Sequence, residues 1–151
     1  MMYSSYKGTR TAKLMLSILP NTHIAYLSVA FGGRTSDTMI TNMSGFLDLD
    51  FCKGDIIMTD KGFPKIQVDD GVILVMPPIS GPGQKQFPAE AMAMTKKIAS
   101  VRIHVERVIN KLRAFHILQN RYPLDLLPHI DKVVHVIGAM VNLSSPALKP
   151  R

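Results

Sequence analysis

Apolar residues recur along this chain at two spacings. Ile98, Val101, Val105, Val108, Leu112 and Phe115 step by three or four and form one stripe, as on one face of an amphipathic helix. That helix is expected to start near Ala89, where Ala-Glu-Ala-Met-Ala-Met supplies strong helix formers, and to run to about Leu118. A second stripe, Ile130, Val133, Val134, Ile137 and Val141, predicts a helix from Leu124 to about Leu143. Elsewhere the apolar runs are short. Ala12 to Leu19 and Ile24 to Phe31 read as strands joined by the turn Pro20-Asn21-Thr22, a β-hairpin that Gly32 and Gly33 close. Thr35, Ser36 and Asp37 offer capping side chains for a helix through about Leu47. Ile56 to Thr59 and Val72 to Met76 read as buried strands, the second stopped by Pro77 and Pro78. Residues 79–88, rich in Gly and Pro, form a loop. Strands interleaved with covering helices predict an α/β sheet in one domain, residues 1–144. A frayed tail of residues 145–151 contains Pro146 and Pro150.

Composition sharpens this in one respect. Eighteen Lys and Arg against eleven Asp and Glu give a net charge of +7 in 151 residues. That excess points to a polyanionic partner, nucleic acid being the commonest. The charge is concentrated on the long predicted helix, at Lys96, Lys97, Arg102, Arg107, Lys111 and Arg113. One cysteine, Cys52, leaves no internal disulfide and no Cys-based zinc site, and favours an intracellular compartment. No apolar run reaches membrane-spanning length.

Two carboxylates carry the candidate chemistry. Asp60 follows the Ile56–Thr59 strand directly, at the end where open α/β sheets place ligands, and Gly62 lets the backbone turn beyond it. Glu106 stands among the cations of the long helix. Taken alone, Glu106 is most simply the i, i+4 ion-pair partner of Arg102, and Asp60 a turn residue. Taken together, the two could ligate Mg²⁺ or Mn²⁺, hard cations that favour carboxylate oxygens. Such metals drive phosphodiester cleavage by activating the attacking water and stabilising the leaving oxygen. Lys61 and the helix cations would then hold the DNA or RNA backbone. Other chemistries lack their residues. His23, His104, His116, His129 and His135 show no zinc spacing, Gly81-Pro82-Gly83 lacks the Lys-Ser/Thr of a phosphate loop, and no Gly-x-Ser-x-Gly elbow is present.

Three blocks resemble the DDE endonuclease domain of Harbinger-type transposases and their THAP-associated relatives. The first runs from Tyr3 through Ser-Ser-Tyr-Lys-Gly-Thr-Arg-Thr-Ala to Lys13 and on to Gly32-Gly-Arg-Thr-Ser-Asp37. The second is Gly54-Asp-Ile-Ile-Met-Thr-Asp-Lys-Gly-Phe63. The third is Ile98-Ala-Ser-Val-Arg-Ile-His-Val-Glu-Arg107, continuing to Ile117 and Leu118. The resemblance implies a ribonuclease-H-like mixed sheet flanked by helices and metal-dependent cleavage and joining of DNA ends. It aligns Asp60 with the second acid of the Asp-Asp-Glu triad and Glu106 with the third. It further implies a nuclear or nucleo-cytoplasmic location. The family's first Asp lies on a central strand upstream of the Ser-Tyr-Lys block, where this chain begins. The expectation is therefore a domain lacking that strand at its N-terminus, with impaired catalysis. A homo-oligomer or a separate DNA-binding protein is left open as a partner. The alternative function is a catalytically inactive domesticated module that binds DNA or protein. A second alternative is a broken gene copy without a selected function.

Overall fold

The computed structural model describes residues 3–4, 9–59, 66–77, 89–119 and 122–144. In chain order the elements are β1 (Tyr3–Ser4), β2 (Thr9–Arg10), β3 (Ala12–Lys13), β4 (Leu16–Ile18), β5 (Ile24–Leu27), β6 (Phe31–Gly32), α1 (Asp37–Met43), β7 (Ile56–Met58), β8 (Ile73–Val75), α2 (Ala89–Arg113), α3 (His116–Gln119), a 3₁₀ segment (Leu124–His129) and α4 (Ile130–Leu143). The chain is mixed α/β. Among the described residues its strands pair as four two-stranded sheets, β1–β2, β3–β6, β4–β5 and β7–β8, not as one broad sheet. Two compact units result, Met1–Thr35 with Ile103–Arg151, and Ser36–Arg102.

In the first unit, β3–β6 and β4–β5 are successive stretches of the predicted hairpin. Lys13 pairs with Phe31 and Leu16 with Leu27, so three steps on one arm match four on the other. The extra residue is a bulge, and the register slips again between Ser17 and Ile18. Ser28, 1% exposed, holds the bulge together. Its N–H donates to the Met15 carbonyl (3.0 Å). Its hydroxyl accepts from the Met15 N–H (2.8 Å) and donates to the Val29 carbonyl (2.8 Å). This explains why each predicted strand appears as two short ones. At the other end of the hairpin, the Gly33 N–H donates to the Thr11 carbonyl at 2.8 Å. A Cβ on Gly33 would overlap Thr11 Oγ1 and press on that carbonyl. Gly33→Ala is therefore expected to cost about 1–3 kcal/mol, read as a lowered thermal midpoint; an unchanged midpoint would contradict the close approach.

The core of this unit joins the hairpin to both ends of the helical region. Val108 (0% exposed) and Leu112 from α2 meet Ile24 from β5 and Ile137 and Val141 from α4. Leu16, Ile18, Leu27, Phe115, Ile117, Leu118 and Val133 pack around them. The expected helix to Leu118 in fact stops at Arg113 and resumes as α3. Helical spacing accounts for this. On a straight helix Ile117 would lie half a turn away from the Val108 side, and the break lets Phe115, Ile117 and Leu118 all reach the core. The expected helix from Leu124 likewise becomes α only at Ile130. Pro128 lies inside the preceding 3₁₀ segment, and its missing N–H cannot make the α-helical bond back to Leu124.

In the second unit Ser36 caps α1, its hydroxyl accepting from the Met39 N–H at 3.2 Å. Asp37 occupies the first turn, where a carboxylate suits the helix dipole. The helix ends at Met43 instead of Leu47, because Gly45 takes a left-handed φ of 80°. Phe46 then packs edge-on against Phe51, with ring centres 5.4 Å apart. β7 and β8 are parallel, with Ile56 beside Ile73 and Met58 beside Val75. They are not the buried strands expected from their sequence: Ile56 is 64% and Ile73 51% exposed. An apolar run shows that a strand can be covered, not that it is.

Candidate functional site

The described part of β7 leads to the first candidate carboxylate. Thr59 extends the pairing, its N–H donating to the Val75 carbonyl at 3.0 Å. Its Oγ1 is buried with no hydrogen-bond partner in the structure. Asp60 and Lys61 follow and lie outside the described residues.

Glu106 is set by α2. The core anchors Val108 and Leu112 fix the rotation of this helix in the first unit. At 100° per residue, Glu106 lies about 160° around the axis from Val108, so its carboxylate is exposed. Arg102, Arg107 and Arg113 are exposed as well, at i−4, i+1 and i+7 from Glu106. Glu106 and Arg102 both take part in polar interactions. Lys96 and Lys97 belong to the N-terminal half of the same helix. The α2 stripe read from the sequence is uneven: Val108 is fully buried and Val101 is 39% exposed. Elsewhere around α2, about 160° from Glu106, the Nδ1 of His104 is buried without a hydrogen-bond partner in the structure.

Arg107, Asn110, Lys111 and Ala114 line a shallow groove on α2. Spaced by three and four residues, they share one helix face. Lys111 also has a structural role. Its Nζ donates to Ser144 Oγ at 3.4 Å, and that hydroxyl donates to the Val141 carbonyl at 2.6 Å. The cation thus meets the negative end of α4.

Glu106 is a donor of the right kind, since its exposed carboxylate oxygens are what Mg²⁺ or Mn²⁺ takes. Among the described residues, no three His, Cys, Asp or Glu side chains come together as a cage. No described helix is long and apolar enough to cross a membrane.

The family profile of the DDE superfamily endonuclease matches residues 1–142. The chain belongs to this family. No curated protein and no solved structure matches it. Membership gives the DDE domain a transposase-like nuclease character, with DNA as the implied substrate and divalent metal as the usual requirement of the superfamily.

Some positioning residues of this DDE domain escaped the sequence reading. Asp131, His135 and Asn142 were available as a spacing of four and seven along the last helix, yet His135 was weighed only as a metal ligand. All three bond to the backbone of the hairpin. Asn110 shares the groove with Arg107 and Lys111, and no charge marks it in the sequence.

Proposed function

We propose that this chain is a nuclease domain of the Harbinger-type transposase lineage, with a ribonuclease-H-like arrangement spanning residues 1–144 and a nuclear or nucleo-cytoplasmic site of action. The match over residues 1–142 carries this reading. Glu106 supports it by standing exposed on a cationic helix within the Arg-Ile-His-Val-Glu-Arg block. Asp60 and Glu106 are assigned as metal ligands and as the second and third acids of the triad. When bound there, Mg²⁺ or Mn²⁺ supplies an activated water and charge neutralisation at the leaving oxygen. The chain's own task is to hold the DNA in place. Arg102, Arg107, Arg113 and the Arg107–Lys111 groove bind phosphates, with Lys61, Lys96 and Lys97 extending the cationic surface.

Cleavage is therefore expected to depend on both Asp60 and Glu106. Plasmid nicking in Mn²⁺ is the test. Nicking that is lost in Asp60→Ala and in Glu106→Ala is the expected result, and nicking that survives both substitutions would overturn the assignment. The second reading, a binding module without catalysis, is favoured by the density of cations on α2. It predicts DNA binding that weakens steeply with salt and survives Glu106→Ala.

A further inference from the structure

Three polar side chains of α4 clamp the hairpin. Asn142 accepts from the Ile24 N–H (2.8 Å) and donates to the Ile24 carbonyl (3.0 Å). Asp131 Oδ1 accepts from the Ala30 N–H at 2.6 Å. His135 lies between them in the sequence, and its ring meets two carbonyl oxygens. Nε2 is 3.0 Å from the Leu27 carbonyl on β5. Nδ1 is 2.7 Å from the Asp131 carbonyl, one turn back on α4.

A carbonyl oxygen only accepts. A neutral imidazole has one N–H and one bare nitrogen, so in either tautomer it bonds one of these carbonyls and turns a lone pair on the other. Only the imidazolium carries a donor on both nitrogens. The charged and titratable side chains on the elements packed here are Asp131 and Lys132 on α4, Tyr26 on β5, and Asp125 and His129 on the 3₁₀ segment. Asp131 and Lys132 stand at i−4 and i−3 from His135 with opposite signs, so their effects on the ring charge offset one another. The two carbonyls are what distinguishes the two forms of the ring.

We propose that His135 is a pH-sensitive tie between α4 and the hairpin: as an imidazolium it holds the Leu27 and Asp131 carbonyls together, and as a neutral ring it gives up one of them. Deprotonation leaves α4 seated, because Ile137 and Val141 stay in the core and Asn142 keeps its two bonds. What changes is the strength of the clamp. Its His135 part is fully present in acid and is lost as pH rises and the folded chain gives up the second ring proton.

The test compares the full chain with its His135→Gln variant by urea unfolding at about pH 5 and about pH 8, on either side of the range in which histidine titrates. The remaining histidines titrate in both proteins and cancel in the comparison. The wild-type advantage in folding equilibrium constant should be roughly two- to tenfold larger at the acid pH. An advantage that is equal at the two pH values, or larger at the alkaline one, overturns the proposal. If His135→Gln does not fold, nitrogen NMR of the imidazoles in the unaltered chain decides. His135 should then keep both ring protons to a higher pH than the exposed His116 and His129, and loss of the second proton at the same pH or lower overturns the proposal.

Discussion

Val108→Asp is expected to unfold the unit that carries the hairpin and Glu106. Val108 is 0% exposed and touches the core built by Ile24, Leu112, Ile137 and Val141. All of those neighbours are aliphatic, so a carboxylate placed there meets no donor and must either lose its charge or draw in water. An unpaired buried charge costs several kcal/mol, against about 5–15 kcal/mol of total stability for a typical domain. Val108→Ala removes two methyl groups, keeps the site apolar and should cost about 2 kcal/mol. Val101→Asp, on the same helix and in the same sequence stripe but 39% exposed, should be tolerated far better. Urea unfolding followed by circular dichroism ranks the three. A Val108→Asp midpoint close to that of Val101→Asp would refute the packing described for α2.

The second large effect concerns DNA. Replacing Arg102, Arg107 and Arg113 together with Ala should weaken binding to any duplex by a similar factor, because phosphate contacts carry no sequence information. The slope of log affinity against log salt should fall by about one for each contact removed, or about three for the triple variant. Glu106→Gln should leave that slope unchanged if the carboxylate serves the metal and not the DNA backbone. Fluorescence anisotropy across a salt series measures both. An unaltered slope in the triple variant would move the DNA surface away from α2. Lys111 is left out of the set because its contact with Ser144 would mix a stability effect into the result.

The sequence made the elements visible more clearly than their surroundings. Apolar alternation found both arms of the hairpin, and a Ser at the start of a helical stripe found the cap of α1. What it missed depended on contacts with distant residues. The hairpin bulge rests on a hydroxyl that looks like any other serine in an apolar run. The break after Arg113 has no Gly or Pro to announce it and follows from three apolar side chains needing one core. Pro128 is the local signal for the 3₁₀ segment, and the apolar stripe from Ile130 to Val141 masks it in a reading by periodicity. Exposure of Ile56 and Ile73 was hidden because an apolar run looks the same whether or not something covers it. For the site, the cations and Glu106 were legible from charge on a helical face. Their functional meaning came from the three-block resemblance and the family match. The residues that bind α4 to β5 were not legible, because each is an ordinary polar residue until the strand edge beside it is known.

The clamp between β5 and α4 bears on how the protein is made. Ile24 and Asn142 are 118 positions apart, and Ala30 and Asp131 are 101 apart. Contacts over such separations come late in folding, after the entropy of closing the intervening loop has been overcome. During synthesis the hairpin leaves the ribosome before α4 and stays without its covering helix until more than a hundred further residues have followed. Residues 36–102, by contrast, are contiguous and can complete their own contacts while the clamp is still open.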